Sequence, residues 1–411
     1  MNDFTKLRFH EEEILVKILE DDFALKNYYE IFDNEEGLKN VVNSLLSSGV
    51  KLNSVIAPRL HQICSDVKQK LDFNEDIDFY IVSSVEFNAY SINGFGYVPH
   101  MICLTSSLVQ MFKDDELAFV IGHEIGHIMF KHSQLSIVSS ILSKSDSQSV
   151  STQAQNIFVR WHKYAEISSD RMGFIAQPNL ETVGKVFFKL ASGLSEEHLN
   201  FNIQEYLKQL EHIKDMSRGD FFSSHPSSLV RLKCLELFSQ SELYPDCRKT
   251  SINTSGLNEE MHSILDLLEY HPRTDDQKSA VEFIASVGMY VACGDRDINP
   301  NELEYLYSLL DNYTSQPEKY LVFNDYDEIV ARKNAICEHY AETNNELKYW
   351  LCERMGILAI CDGKFDESEK VLLFELAERL EIREERMREI IRWASGYMRP
   401  RGQHGSNFFK G

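Results

Sequence analysis

Paired cysteines, long apolar runs and an excess of basic charge are all missing from this chain of 411 residues. The 8 cysteines stand singly, with no C-x-x-C spacing, so they read as reduced thiols of a cytosolic protein and not as a disulfide framework. No uninterrupted apolar stretch approaches the roughly twenty residues a membrane helix needs, and "LSIVSSILS" is far too short. The opening MNDFTKLRFHEEE has neither a basic region nor an apolar one, so no secretory leader is expected. Asn2 is not the glycine that myristoylation needs and the chain closes on NFFKG, so no lipid anchor is expected either. Lys and Arg number 42 against 64 Asp and Glu, a formal net charge of −22. Such a chain is repelled by phosphate backbones and anionic lipid, which argues against a nucleic-acid partner and against a membrane surface.

What is present suits a globular protein. Hydrophobic residues make up 43%, enough for a proper core, and the length suits two or three domains. Residues 1–50 are acidic with helical periodicity and read as an amphipathic packing segment. "IDFYIVSS" (77–84) is β-branched and aromatic, which suits a buried strand. "DDELAFVIGHEIGHIMFKH" (114–132) turns helical, with Asp114 or Asp115 as its cap and Leu117, Val120, Ile121, Ile125 and Ile128 at helical spacing. Residues 133–156 are rich in Ser and Gln and read as a loop or weak helix. Helical pattern returns over 157–240. The domains expected are a helical segment 1–50, a principal domain 51–245, a linker 246–275, a helical domain 276–397 and a flexible tail 398–411.

The stretch "IGHEIGHIMFKH" (121–132) carries the chemistry. His123 and His127 are four apart, so a helix sets both imidazoles on one face, one turn apart, which suits a single tetrahedral zinc. Glu124 lies about 100° round the axis from His123, placed to reach a metal-bound water without being a ligand. Zinc lowers that water's pKa to about 7, and the carboxylate takes the proton as hydroxide attacks a carbonyl. This is the H-E-x-x-H arrangement. His132 lies a further 140° or so beyond His127, so it faces away unless the helix ends first, and it reads as a structural histidine. A catalytic zinc takes a third protein ligand. "KYAEISSDRMGF" offers Glu166 and Asp170 at i, i+4 on a second helix. Glu166 is assigned as that ligand, with Asp170 one turn on to accept a hydrogen bond from a ligating histidine's other nitrogen.

Several segments, in order, resemble the HtpX-like and CAAX-prenyl-protease family of zinc metallopeptidases, which are gluzincins. They are "EFNAYS" (86–91), "ICLTSSL" (102–108), residues 114–132, "AEISSDRMGF" (165–174) and "SSHPSSLVRL" (223–232). The resemblance covers roughly residues 50–240. It implies Glu166 as third ligand with Asp170 behind it. It also implies that His225 stabilises the tetrahedral oxyanion and that Arg231 supports the site. From chemistry alone, His225 reads as a helix-start residue before a first-turn proline. "FNAYS", with Asn88 and Ala89, would be an edge strand that pairs with an extended substrate. The family often has alanine before the aspartate, where this chain has Ser169. Many members carry transmembrane helices after the H-E-x-x-H helix, where this chain has the polar stretch 133–156, and that points to a soluble enzyme.

The final region holds an internal repeat. "ACGDRDINPNELEYL" (292–306) aligns with "AICDGKFDESEKVLL" (359–373), matching Ala292 with Ala359, Asp295 with Asp362, Ile298 with Phe365 and Glu302 with Glu369. These units resemble TerB-like modules of bacterial stress proteins. An EF-hand is not expected, because position twelve from Asp295 is Leu306 and position six is no glycine. The fold class expected is α+β and mostly helical: a zincin-type domain with a small sheet, then an all-α domain. The function expected is a cytoplasmic zinc endopeptidase with one zinc per chain. Its substrate is protein or peptide, and it is held latent by the tail, the loop 133–156 or residues 276–397, through which a regulatory partner acts. The alternative is a metal-containing scaffold protein in a stress response, with no turnover.

Overall fold

The computed structural model describes residues 4–21, 35–136, 152–198, 200–212, 227–245, 252–294, 298–342, 346–361, 365 and 367–397. The chain divides into two compact units, with the boundary between Glu269 and Tyr270. The tail 398–411, and residues 137–151 of the expected loop, lie outside the described residues.

In the first unit, helices α1 (His10–Asp21) and α2 (Glu35–Ser48) lead into strand β1 (Gly49–Lys51). Helix α3 (Pro58–Lys70) separates it from β2 (Ile77–Val82), β3 (Ala89–Ile92) and β4 (His100–Thr105). The sheet order is β1-β2-β4-β3. Its inner strands run parallel, with Tyr80 opposite Cys103, and both outer pairings are antiparallel. Successive side chains point to opposite faces, so β4 serves two cores at once. Ile102 and Leu104 join the principal core, whereas Met101 and Cys103 join Tyr80 and Leu45 on the other face, with Leu38, Val41 and Val42 of α2 packed there. Residues 77–82 of the segment 77–84 form the interior strand β2, as its composition predicts.

A short helix α4 (Ser106–Met111) follows β4 and precedes α5 (Asp114–Met129), the H-E-x-x-H helix. Leu117, Ile121 and Ile125 of α5 are wholly buried, and Val120 and Ile128 nearly so. A helix apolar on nearly every side belongs inside a core. The cap is Lys113, one residue before Asp114 and two before Asp115, the two caps expected there. Its backbone N–H donates to the Glu116 carboxylate at 2.7 Å. Asp114 and Asp115 stand instead in the first turn, where the helix dipole favours negative charge.

Helix α6 (Thr152–Ala176) packs against α5 through small residues. A Cβ on Gly126 would stand 2.9 Å from Ser169 Cα, and one on Gly122 would stand 2.6 Å from Ala176 Cβ. Only glycine lets the two backbones approach so closely. Helices α7 (Leu180–Ser192), α8 (Ile203–Lys208), α9 (Ser228–Ser239) and α10 (Thr254–Leu265) complete the unit. Helix α10 corrects the expected linker 246–275. Its Leu257, Met261 and Leu265 are buried in one cluster with Trp161, Val230 and Leu237, because their helical spacing makes an apolar stripe.

The second unit is all helical among its described residues: α11 (Asp275–Ala292), α12 (Pro300–Leu310), α13 (Tyr326–Ala341), α14 (Glu346–Leu358), α15 (Glu367–Arg379) and α16 (Glu384–Tyr397). The internal repeat coincides with two helix pairs, α11–α12 and α14–α15. Ala292 ends the first helix of its pair and Ala359 directly follows the first helix of its own, both buried, and Glu302 and Glu369 are both buried in the first turn of the second. The acidic residues Asp295 and Asp362 lie outside the described residues. No described helix is long and apolar enough to cross a membrane.

Candidate metal centre

His123 and His127 project from one face of α5 toward α6, where Glu166 and Asp170 stand one turn apart. His123 Nε2 and His127 Nε2 are 2.9 Å apart. Glu166 lies 3.7 Å from the first through Oε2 and 3.4 Å from the second through Oε1. Donors bound tetrahedrally to one zinc at ~2.0–2.1 Å stand about 3.3 Å apart, so this triangle has the size of a zinc face. Among the described residues these three form the one group of His, Cys, Asp and Glu side chains with such convergence.

Proton bookkeeping strengthens the fit. Asp170 Oδ1 lies 2.9 Å from His123 Nδ1 and, as a carboxylate, only accepts. His123 therefore donates from Nδ1 and carries a lone pair on Nε2. His127 Nδ1 lies 2.8 Å from Nδ1 of His132, whose Nε2 lies 3.0 Å from Glu12 Oε1. Glu12 only accepts, so His132 donates from Nε2 and accepts at Nδ1, and His127 must donate there. Both Nε2 atoms then face each other with lone pairs, and a carboxylate closes the triangle. Three acceptors this close call for a cation. Burial opposes a charge on His127, but Glu166 and Glu124 outweigh it and hold its pKa above the ordinary value, so the surrounding carboxylates favour positive charge at this position. The donor set, two neutral imidazoles and one carboxylate, fits zinc.

The buried Arg231, on α9, ties the carboxylates together. It meets Asp170 in a two-pronged pair, Nε to Oδ2 at 2.7 Å and Nη2 to Oδ1 at 2.6 Å. Its Nη1 lies 2.9 Å from Glu166 Oε2. Its guanidinium stacks over Phe187 of α7, 4.9 Å from the ring centre. Burial pushes the Asp170 pKa up, but Arg231 and His123 outweigh it, so the carboxyl sits below the usual range and stays ionised. Glu124 is buried beside His123 and is close enough for its charge to raise the pKa of His127.

Two placements add to the sequence reading. For His132 the condition attached to it is met: α5 ends at Met129, before His132, and Lys131 adopts a left-handed conformation (φ 59°) that turns His132 back onto His127. Its two nitrogens are both engaged, so it stands behind a ligand. Glu12 was not singled out by sequence at all, since nothing local marks one glutamate of "HEEE" above another. His225 lies outside the described residues. Asn88 immediately precedes β3 and Ala89 begins it, and β3 is an edge strand of the sheet. Asn88 is anchored to Thr105 through backbone and hydroxyl bonds of 2.9–3.0 Å, and Ala89 pairs with Leu104.

Comparison with known proteins adds a class to this geometry. The family model for peptidase family M48 matches residues 55–238, which include His123, Glu124, His127, Glu166, Asp170 and Arg231. That match supports a metallopeptidase. The chain is 24% identical over 230 residues to the plastoglobule-localized metallopeptidase 48, chloroplastic, of Arabidopsis thaliana, covering 52% of this chain and 64% of that protein. It is 29% identical over 85 residues to a protease HtpX homolog of Helicobacter acinonychis, covering 21% of this chain and 27% of that one. The chain thus spans less than two thirds of the length of these relatives. No solved structure matches it.

Proposed function

We propose that this protein is a soluble, cytoplasmic zinc endopeptidase. The observation that carries the reading is the convergence of His123 Nε2, His127 Nε2 and the Glu166 carboxylate, with Glu124 buried beside them. His123, His127 and Glu166 would hold one zinc per chain, and Asp170 and Arg231 would orient and charge-balance that set. When bound, zinc would polarise both a water molecule and the scissile carbonyl. Glu124 is the general base that takes the water's proton and returns it to the leaving amine. His225 is the donor to the oxyanion. The edge strand at Asn88 and Ala89 aligns an extended peptide by backbone pairing.

The second, helical unit is the regulatory module, TerB-like in its repeat, through which a partner acts. The test of that part is the hydrolysis rate of residues 1–269 against the full chain. A faster fragment supports latency, and equal rates remove it.

The central test is Glu124→Gln. Metal content should stay at one zinc per chain while hydrolysis of an unfolded protein substrate falls by about 10²–10⁴-fold. Proteomes of cells expressing wild type and Glu124→Gln should differ in the natural substrates. A zinc-loaded wild type that cleaves nothing in either assay leaves the scaffold reading.

A further inference from the structure

The N-terminal helix lies outside the region that matches the peptidase family, yet it reaches the metal centre. Glu12 of α1 is completely buried. Its carboxylate accepts from Arg8 Nε at 3.0 Å, from His132 Nε2 at 3.0 Å and from the Ser168 hydroxyl. Ser168 in turn accepts from the backbone N–H of Phe9 at 2.9 Å, and Arg8 donates to the Phe130 carbonyl at 2.7 Å. These bonds pin α1 to α6 and to the end of α5. Beyond Glu12 stands His132, with 1% exposure, between the rings of Phe130 and Trp161. Its Nδ1 meets His127 Nδ1 at 2.8 Å and the Ser169 hydroxyl at 3.3 Å.

We propose that Glu12 and His132 form a positioning dyad that holds His127 in the Nδ1-protonated tautomer, with its Nε2 lone pair aimed at the metal. The inference deepens the metallopeptidase reading and rests on it for the metal. His123 has its orienting carboxylate in Asp170, and His127 has an equivalent relayed through a second imidazole. A carboxylate that only accepts sets the direction of every hydrogen bond in the chain Glu12–His132–His127. The polarity of the relay is therefore decided some distance from the metal, by a residue of the first helix. A partner of this kind is worth about 10–100-fold in metal affinity at comparable sites.

The test compares full-length wild type with His132→Phe, His132→Asn and Glu12→Ala. Zinc affinity is measured by competition with a chelator, and the His127 tautomer by ¹⁵N–¹H correlation of histidine-labelled, metal-free protein. His132→Phe should lose about 10–100-fold in affinity and release the tautomer. His132→Asn, which keeps an acceptor oxygen near the Nδ1 position, should recover most of both. Glu12→Ala should fall between them. Thermal melts of the metal-free forms report folding separately, and the Phe-to-Asn difference keeps the comparison informative if Glu12→Ala is unstable. Wild-type affinity and tautomer in folded His132→Phe, or no recovery in His132→Asn, would overturn the dyad and leave the peptidase reading standing. A wild type that binds zinc through this set but hydrolyses nothing overturns the peptidase reading alone.

Discussion

Asp170 is the most heavily engaged side chain of the centre. Its two oxygens serve Arg231 twice and His123 once, and it is 1% exposed. Asp170→Asn keeps the volume but presents an amide that can donate to His123 Nδ1, which would move that ring's lone pair away from the metal. Zinc affinity should fall about 10–100-fold, read by chelator competition, with secondary structure unchanged. Arg231→Met makes a different error. It leaves Asp170 and Glu166 buried without their cation, and breaking such a pair typically costs roughly 3–5 kcal/mol. Urea unfolding of the metal-free variant should show that loss, and a midpoint equal to wild type would contradict the role given to Arg231. Lysine is no substitute, because a point charge cannot make the two-pronged contact.

The centre also depends on how closely two helices pack. His123 and His127 belong to α5, Glu166 and Asp170 to α6, and Gly122 and Gly126 set the distance between those backbones. Gly126→Ala places a methyl group against Ser169 Cα and Met172 Cβ, at 2.9 and 3.0 Å. Overpacking of this kind costs about 1–3 kcal/mol, and the strain falls directly on the ligand-bearing turns. Both melting temperature and zinc affinity should drop. Gly193 provides the control. It ends α7 at φ 70°, and its nearest neighbour to an added Cβ is Phe87 at 3.9 Å. Gly193→Ala should cost about 1 kcal/mol through backbone strain alone and leave zinc affinity untouched. Loss of zinc in both variants would mean that global stability, not helix approach, controls the site.

For the molecule as a whole, the boundary between units decides which fragments stand alone. A cut at residue 250 removes α10, whose Leu257, Met261 and Leu265 are at most 2% exposed. It also removes the carbonyl of Leu268 that accepts from the buried Lys163 amino group at 2.9 Å. Deleting one such apolar side chain costs about 2–5 kcal/mol. Three together rival the ~5–15 kcal/mol that holds a whole domain folded. Residues 1–269 should therefore melt cooperatively and hold zinc, whereas residues 1–250 should do neither. A cooperative, zinc-loaded 1–250 fragment would show that α10 is dispensable.

Much of the site was legible before any fold was known. The pair His123 and His127, and the pair Glu166 and Asp170, each lie four residues apart, and helical repeat alone puts each pair on one face. The strand β2 and the buried face of α5 followed from local composition for the same reason. That helix α10 packs into the first unit, against Trp161, Val230 and Leu237, was missed, because an amphipathic pattern does not say what it packs against. The role of His132 was missed because helix geometry carried it away from His127, and only the end of α5 at Met129 and the left-handed Lys131 reversed that. Glu12 carried no signal, because its partner lies 120 residues on and their contact exists only once α1 is laid across α5 and α6. Local sequence thus settles which side chains share a helical face, since that depends on a repeat of a few residues. Which histidine binds and which one orients depends on where chain ends, turns and distant helices meet, and those meetings are decided by packing.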